Sequence, residues 1–493
     1  MNRAKPHAAD GSTTAGSDFL ALDVGTAPPG RRTDWLADRL RAAIADGRLP
    51  LGGRLPASRE LAADLGVSRG VVTEVYQRLA EEGHVAGRDR AGTVVVAAPV
   101  APRSLAAPPA PAPEALFAPT PGTEVFEALR AVPARVDLSP GVPDLAAFPR
   151  AAWLRAERTV LRDLDAAAFG YGDPRGAPGL RRAVAAHLAR TRGIRADPDE
   201  VVVVAGVSQA LGLLAQVLHD SGVHTVAVED PGSLGVRQHL RNWRLDTPPV
   251  AVDGHGLRVD ELAAAGHPAV LLTPAHQFPT GVVLHGDRRR RLAEWARDGG
   301  LVLEDDYDAE HRYDRPPVPA LRGLLPDRVC YTGSVSKLLA PALRIGWALV
   351  PHQHHDALVD AKRMADLGNA VLPQLVLAEL MTSGDLDRHL RLLRRRHVRR
   401  RDAMIRAVTA HLPGATVHGA AAGLHLTVTF AGRFDDVALA TAALRRGVKA
   451  QPLSWHAQRP YPPGLVLGYA ANTAGDIADG VAAIGAALRD VGR

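Results

Sequence analysis

The chain has 493 residues, with 59 Lys and Arg against 53 Asp and Glu, a net charge of +6, and a single cysteine, Cys330. One cysteine excludes a disulfide framework and a cysteine-based zinc site, and it is typical of a reducing compartment, so we expect a cytoplasmic protein. The length predicts two or three domains. No apolar run approaches the roughly 20 residues of a membrane span, so no membrane partner is expected. The basic balance permits a nucleic-acid partner.

The N-terminal part predicts a helix-turn-helix. Apolar residues over 34–46 recur at helical spacing, and a second short helix follows, with Ser58 as its expected N-cap. Residues 66–68 form a glycine-containing turn whose serine caps a third helix. Early residues of the last helix in such a motif reach base edges, which makes Arg69 and Thr73 candidate DNA contacts.

A wing is predicted directly after these helices. Residues 85–96 indicate two short strands around a tip that carries Arg88 and Arg90. In this order of elements, over residues 31–97, the sequence resembles the winged helix of the GntR transcription regulators. The resemblance implies a double-stranded DNA operator as a partner, with Arg88 or Arg90 entering the minor groove.

The same resemblance assigns further DNA contacts to particular side chains. Arg59 and Arg69 would contact DNA, and Ser68 would touch a phosphate. Many GntR proteins carry a polar residue at position 70, whereas Gly70 here favours a close approach of the backbone. The alternative for Arg59 is a solvated charge on a helix.

Residues 98–131 predict a linker. Up to Gly122 the segment is mostly alanine and proline, with little to bury, and such a composition is typical of an extended spacer. The linker would separate the winged helix from a second domain over residues 132–493.

In this second domain, short β-branched runs alternate with helix-length segments. The predicted buried strands are residues 201–204, 225–228, 270–273, 301–304 and 328–332. The alternation predicts an α/β fold with a mainly parallel sheet, whose ligands bind at the C-terminal ends of the strands.

The residues that follow the last of these strands predict a site for pyridoxal 5'-phosphate (PLP). Lys337 is one of only four lysines in the chain, and its amine can condense with an aldehyde. Ser334, Ser336 and Arg344 can hold a phosphate dianion. The N-terminus of a predicted helix would add a second phosphate site, formed by Gly206, Val207 and Ser208.

The strand over 301–304 is followed by candidate contacts for the PLP ring. Asp305 can keep the pyridine nitrogen protonated, and Tyr307 can hydrogen-bond the 3' oxygen. The acidic run over residues 304–308 also suits Mg²⁺ or Ca²⁺, but a strand end followed by Ser-x-Ser-Lys favours PLP.

These residues resemble the fold-type I aminotransferases, and the whole chain resembles the MocR subfamily of GntR regulators. The matching stretches are residues 170–176, 273–281, 304–308 and 334–344. The resemblance implies a winged helix fused to an aminotransferase-like PLP domain. It also implies a head-to-tail homodimer that addresses two half-sites, in which Tyr171 reaches the phosphate of the partner's PLP.

Several positions depart from the enzymes of this fold. Those enzymes usually carry an asparagine where this chain has Phe278, and His276 or Gln277 would supply the polar contact in its place. Many relatives have an aromatic residue that stacks on the PLP ring, and this chain has Ser233 there.

The aminotransferase arginine that grips a substrate carboxylate is also absent near residues 465–469, where Arg237 or Arg459 would have to substitute. PLP binding is thus better supported than turnover. We expect a transcription regulator, not an enzyme, that senses a small amine, an amino acid or PLP, with partial transamination left open. The alternative is an active aminotransferase that carries a DNA-binding module.

Residues 388–401 predict a helix with eight arginines. One interpretation is a second surface that faces DNA, which would add affinity through counterion release. The other is a long helix between two subdomains that extends its arginines into water.

Overall fold

A computed structural model gives the fold of the chain. It describes residues 19–88, 92–97, 116–314, 317–432 and 434–491. The chain divides into two compact units, Met1–Pro109 and Ala110–Arg493. Within the described ranges, no helix is both long and apolar enough to cross a membrane.

The first unit is a winged helix, as predicted. Its elements are α1 (Arg32–Ala45), α2 (Ser58–Asp64), α3 (Arg69–Glu81), β1 (Val85–Arg88) and β2 (Gly92–Val95). The helices bury one apolar stripe each, including Leu40, Leu61 and Val75, and the two strands pair antiparallel beside them. The tip of the wing, residues 89–91, lies outside the described part of the chain.

The two predicted N-caps have different outcomes. The Ser68 hydroxyl accepts a hydrogen bond from the Val71 N–H at 3.4 Å, which confirms the cap of α3. The predicted cap at Ser58 is wrong by one residue, because α2 begins at Ser58 and Ala57 is its N-cap. Glu60 takes over part of the capping role, since its carboxylate accepts from the Ala57 N–H at 3.4 Å.

The second unit alternates helices and strands. Its helices are α4 (Val125–Ala131), α5 (Arg150–Asp163), α6 (Pro178–Arg192), α7 (Val207–Asp220), α8 (Leu234–Asn242), α9 (Val259–Ala264), α10 (Gly286–Arg297), α11 (His352–Asp366), α12 (Val371–Thr382), α13 (Asp385–His411), α14 (Asp436–Arg445) and α15 (Ala474–Val491). Its strands are β3 (Val136–Asp137), β4 (Val202–Val204), β5 (Ala227–Asp230), β6 (Pro249–Asp253), β7 (Gly256–Leu257), β8 (Ala269–Leu272), β9 (Leu301–Asp305), β10 (Val329–Ser334), β11 (Gly346–Leu349), β12 (Ala415–His418), β13 (His425–Phe430), β14 (Val448–Lys449), β15 (Gln451–Pro452) and β16 (Gly464–Gly468).

Eight strands form the large sheet, in the order β4-β11-β10-β9-β8-β5-β6-β7. β10, β9, β8, β5 and β6 run parallel, and β11 is antiparallel to both β10 and β4. The five predicted strands agree with β4, β5, β8, β9 and β10 to within two residues at each end.

Helices cover both faces of this sheet, which explains why its strands are apolar without alternation. Val203 and Tyr331 pack into a core on one face, and their neighbours Val202 and Cys330 pack into another core. Because β4, β9 and β10 point in the same direction, their C-terminal ends meet at one edge of the sheet.

A smaller antiparallel sheet, in the order β12-β13-β16-β15, packs with α13, α14 and α15 around a separate core. Leu116, Phe117 and Leu129 are buried in this core. The predicted linker over 98–131 therefore extends too far toward the C-terminus. Because the stretch is mostly alanine and proline, its few large apolar side chains were not recognised as residues that the tertiary structure buries. Residues 98–115 lie outside the described part.

Candidate functional site

The C-terminal ends of β4, β9 and β10 border one cavity of about 920 Å³. Thr332 of β10 pairs with Asp305 of β9, so the turn that carries Lys337 leaves the sheet beside Asp305. The predicted cofactor residues that line this cavity are Val207, Ser208, Asp305, Tyr307, Ser334, Ser336, Lys337 and Arg344. A smaller cavity of about 180 Å³ shares Asp305, Tyr307 and Lys337 with it.

Asp305 is buried in this site, and its Oδ1 atom has no hydrogen-bond partner among the described residues. Burial raises the pKa of its carboxyl to about 7, and the nearby Asp306 and Asp308 add to the shift. A buried carboxylate without a partner is costly. A protonated ring nitrogen is the kind of group that would satisfy it, so the residue fits PLP.

Lys337 lines the same cavity as Asp305. Its Nζ atom donates a hydrogen bond to the carbonyl oxygen of Gly141. Burial lowers the pKa of the amine, while Asp308 and Asp305 oppose the shift. Gly141 has φ +79°, and a Cβ atom there would lie 3.0 Å from Nζ, so the approach requires glycine. A lowered pKa increases the neutral fraction of the amine, which is the nucleophilic form.

The start of α7 brings together groups that suit an anion. The first N–H groups of a helix lack intrahelical acceptors and point outward from Gly206. Arg344 Nη1 lies 3.3 Å from the position that a Cβ atom on Gly206 would take. The Arg344 guanidinium also donates to the Ala205 carbonyl, which holds it beside the helix end. Ser334 and Ser336 face the same cavity, so hydroxyls, backbone N–H groups and a guanidinium converge there.

Tyr307 belongs to a buried cluster with His276 and Asp308. The His276 Nδ1 atom lies 3.0 Å from the Tyr307 hydroxyl oxygen and 2.9 Å from Asp308 Oδ2. Burial raises the pKa of Tyr307 well above its usual value, so its phenol stays protonated. Gln277 instead donates its amide to the Pro231 carbonyl at 2.8 Å. Neither His276 nor Gln277 lines the two cavities, and His276 is the one of them that contacts Tyr307, so the predicted polar contact to the cofactor stays a prediction.

The acidic run over 304–308 does not converge on one point. The Glu304 carboxylate accepts from the backbone N–H groups of Leu321 and Arg322 at 2.9 and 3.0 Å. Asp306 pairs with the buried Arg192 at 2.5 Å. With Asp305 facing the cavity and Asp308 facing His276, these carboxylates serve four different contacts, which disfavours a shared cation.

The predicted DNA-contact residues are exposed in the first unit: Arg59, Ser68, Arg69 and Thr73. The Arg69 Nε atom lies 3.5 Å from the Ser58 hydroxyl, so the N-terminal ends of α2 and α3 are adjacent. Arg88 ends β1, and Arg90 lies outside the described residues. Of these exposed residues, Arg69 and Thr73 lie at the start of α3, the position from which a recognition helix contacts base edges.

Sequence comparisons identify both units. The family described as "Bacterial regulatory proteins, gntR family" matches residues 33–95, and "Aminotransferase class I and II" matches residues 134–461. The chain is 33% identical over 462 residues to "Probable rhizopine catabolism regulatory protein MocR" of Rhizobium meliloti, covering 92% of this chain and 92% of that one. The chain belongs to the MocR group of GntR regulators. It is thus a transcription regulator with an aminotransferase-like domain.

Two further similarities agree with this assignment. The "HTH-type pyridoxine biosynthesis transcriptional regulator PdxR" of Corynebacterium glutamicum is 31% identical over 421 residues, covering 85% of this chain and 87% of that one. The crystal structure of a multiple substrate aminotransferase from Thermococcus profundus has a TM-score of 0.68 at 26% identity, covering 75% of this chain and 95% of that one.

In this MocR-type regulator, Tyr171 does not line the cavity that contains Lys337 of the same chain. Its side chain is 94% exposed, and its loop lines another cavity with residues 366–375. Among the residues that the structure describes, Tyr171 is thus not part of the lining of either cavity beside Lys337.

The two candidate substitutes for the carboxylate-binding arginine differ. Arg237 lines the smaller cavity, but its guanidinium donates to the carbonyl oxygens of Trp455 and His456 at 2.7 and 3.3 Å. Burial lowers the pKa of Arg237 to about 10. Arg459 pairs with Glu261 at 2.6 Å and lines neither cavity. Ser233 lines both cavities, where an aromatic ring would otherwise stand.

The sequence did not predict that residues 116–131 form one wall of the large cavity. Phe126 and Glu127 of α4 line it. The Trp455 Nε1 atom donates to the Ala118 carbonyl at 2.9 Å, and Gln238 donates to the Gly122 carbonyl at 2.9 Å. The only signal in the sequence is the phenylalanine at position 117 and the apolar spacing within α4. We call residues 116–131 the strap.

Proposed function

We propose that this regulator binds PLP at Lys337 and duplex DNA through its winged helix, and that a small amine, an amino acid or PLP itself controls DNA binding. The observation that carries the proposal is the buried Oδ1 atom of Asp305, which has no hydrogen-bond partner among the described residues and belongs to the cavity that Lys337 lines. An apolar scaffold would not retain an uncompensated carboxylate there.

Each part of the cofactor has a group to hold it. Asp305 would bind the ring nitrogen, and Tyr307, oriented by His276, would bind the 3' oxygen. The phosphate would lie at the start of α7, held by Gly206, Val207, Ser208, Ser334, Ser336 and Arg344. When bound, PLP supplies an aldehyde that reacts with primary amines and a ring that withdraws electrons.

On the DNA side, the exposed residues at the start of α3 would enter the major groove. Arg69 and Thr73 would contact base edges, with Arg59 and Ser68 on the backbone and the wing arginines Arg88 or Arg90 in the minor groove. A regulator of bacterial genes works in the cytoplasm, where the chromosome is.

The strap supports a route from the PLP site to the DNA-binding unit. A ligand in the large cavity would contact Phe126 and Glu127, and the strap continues N-terminally into the alanine- and proline-rich stretch. A ligand that binds one conformation of the strap better than another would shift the population of that conformation. This differential contact is what an effector needs in order to act on the winged helix.

A head-to-tail homodimer would complete the site. The exposure of Tyr171, far from its own Lys337 cavity, favours a role in the partner's site. Two winged helices would then address two half-sites on the operator.

Sensing is favoured over turnover. The Arg237 guanidinium donates hydrogen bonds to two backbone carbonyls, and Ser233 provides no ring to stack on the cofactor. A multiple-turnover assay with amino and keto acids tests this point, and sustained turnover at ordinary enzyme rates would favour the alternative of an active aminotransferase.

The experiment that tests the proposal compares Lys337→Ala and Arg69→Ala in the full chain. PLP uptake is followed by visible absorbance, and DNA binding by anisotropy with an operator fragment selected from random duplexes. Lys337→Ala should lose the absorbance band of the bound cofactor. Arg69→Ala should keep that band and bind DNA roughly ten- to hundredfold more weakly.

Arg32→Ala is the matched control, because Arg32 is an exposed arginine at the start of α1, where the nearby Asp34 pairs with Arg78, near the end of α3 opposite to Arg69. A wild-type protein that takes up no PLP and retains no duplex would refute the proposal.

A further inference from the structure

The arginines of helix α13 differ in their contacts. Near its start, Arg388 pairs with Asp385, and Arg394 donates to the Tyr313 carbonyl at 3.0 Å. In the inward set, Arg396 and Arg400 both contact the buried carboxylate of Asp144, at 2.6 and 2.7 Å. Arg401 pairs with Asp402 at 2.7 Å. These arginines contribute ion pairs to the fold, which neither interpretation of the sequence predicted.

The outward set is Arg391, Arg395, Arg399 and Arg406, which we call the arginine stripe. All four side chains are exposed, and none forms an ion pair or a side-chain hydrogen bond with the part of the chain that the structure describes. Their spacing of four, four and seven residues places them on one face, over about 22 Å of helix length. The acidic residue between Arg399 and Arg406 is Asp402, and its carboxylate forms an ion pair with Arg401.

The stripe has a fixed orientation. The opposite side of α13 is buried through Leu386, Leu393, Met404 and Val408, so the helix cannot rotate its arginines toward acidic groups elsewhere. Like charges four residues apart destabilise a helix. An external polyanion would remove this repulsion, and the guanidinium fork suits phosphate oxygens.

The geometry favours DNA among polyanions. The stripe is straight, and a four-residue step advances about 6 Å along α13, whereas a duplex carries one phosphate charge per roughly 1.7 Å of its axis, so a duplex alongside the stripe offers enough phosphates for every arginine. A membrane surface would require an apolar face beside the basic one, whereas the apolar face of α13 is buried in its own core. The covalent winged helix would hold a duplex at high local concentration.

We propose that the arginine stripe is a second, sequence-independent contact surface for the phosphate backbone of duplex DNA. The proposal rests on the proposed DNA binding of the winged helix, and it adds a surface on the aminotransferase-like unit. Arginines 391, 395 and 399 would each neutralise one phosphate and release counterions.

The test uses the full chain, supplied with PLP, and the triple variant R391Q/R395Q/R399Q. The matched control is R182Q/R190Q/R195Q, which removes three exposed arginines on and just after α6 that likewise form no ion pair with the described residues. Anisotropy with a labelled random-sequence duplex of about 60 base pairs, at several salt concentrations, gives the slope of log K against log [salt].

The stripe variant should lower this slope by about three, from ~0.9 per phosphate, and should weaken binding at least tenfold near 0.15 M salt. The control should keep the wild-type slope, and unchanged unfolding curves would show that both variants are folded. A stripe variant with the slope of the control overturns the proposal. If Arg69→Ala still weakens binding to the operator fragment in that case, the proposed DNA binding of the winged helix stands; if Arg69→Ala also has no effect there, that proposed DNA binding fails as well.

Discussion

Replacing Asp305 with asparagine should change stability in opposite directions with and without PLP. In the folded, cofactor-free protein, burial raises the pKa of Asp305 to about 7 from its usual 3.8. A raised pKa in the folded state means that this carboxyl stabilises the fold fully only below its unfolded pKa. The contribution is lost as the pH rises through the folded value.

The size of the effect follows from the two pKa values. Each unit corresponds to about 1.4 kcal/mol, so the full loss above pH 7 is roughly 4 kcal/mol. Between pH 5 and pH 8 the loss increases by about 2–3 kcal/mol. The asparagine side chain does not titrate, so the Asp305→Asn variant should gain this amount relative to wild type over that interval. Burial also raises the pKa of Glu229 to about 7, and the charge of Glu229 raises the pKa of Asp305, so the difference between the two proteins includes this interaction.

The assay is urea unfolding of the cofactor-free full chain at several pH values, followed by tryptophan fluorescence. Five of the six tryptophans lie in the second unit, so the signal reports mainly on the domain of Asp305. With saturating PLP, the wild type should instead be more stable than Asp305→Asn, because only the wild type offers a carboxylate to the ring nitrogen. The reasoning would be refuted if the free energy of unfolding of the two cofactor-free proteins changed in parallel with pH.

Three further predictions concern packing and assembly. Gly423→Ala should lower stability by about 2–3 kcal/mol or more in urea unfolding, because Gly423 has φ +83° and a Cβ atom there would lie 2.1 Å from His276 Cε1. Gly414→Ala is the control for backbone strain alone, because Gly414 has φ +79° and open space around its Cβ position. Asp144→Asn should cost about 3–5 kcal/mol in the same assay, since it leaves Arg396 and the buried Arg400 without their carboxylate, and an unchanged midpoint would contradict this. Tyr171→Phe should weaken PLP binding roughly tenfold in equilibrium dialysis, at unchanged molecular mass in light scattering, if its hydroxyl serves the partner's phosphate site.

Part of the site could be predicted because its residues are placed by local rules. A strand end positions the next few residues, so the predicted strands 301–304 and 328–332 were enough to bring Asp305 and Lys337 to one edge. The cap of α3 by Ser68 is likewise a contact between residues three apart. Patterns over so short a range are visible in the sequence itself.

Other features depend on contacts between distant parts of the chain. Arg396 and Asp144 are 252 residues apart, and no local pattern indicates which arginines of α13 would be paired and which would stay exposed. The strap was predicted as linker because the stretch up to Gly122, which includes its first residues, is mostly alanine and proline. Its burial depends on Trp455, more than 300 residues away.

The sequence by itself determined the two folded units, the parallel sheet and the kinds of residue at its C-terminal edge, since periodicity and strand-end position are properties of short segments. Only the tertiary structure decided which oxygen of Asp305 lacks a partner, which of His276 and Gln277 contacts Tyr307, and which wall encloses the cavity. These features depend on how distant segments pack, because burial and hydrogen-bond partners exist only once those segments are brought together.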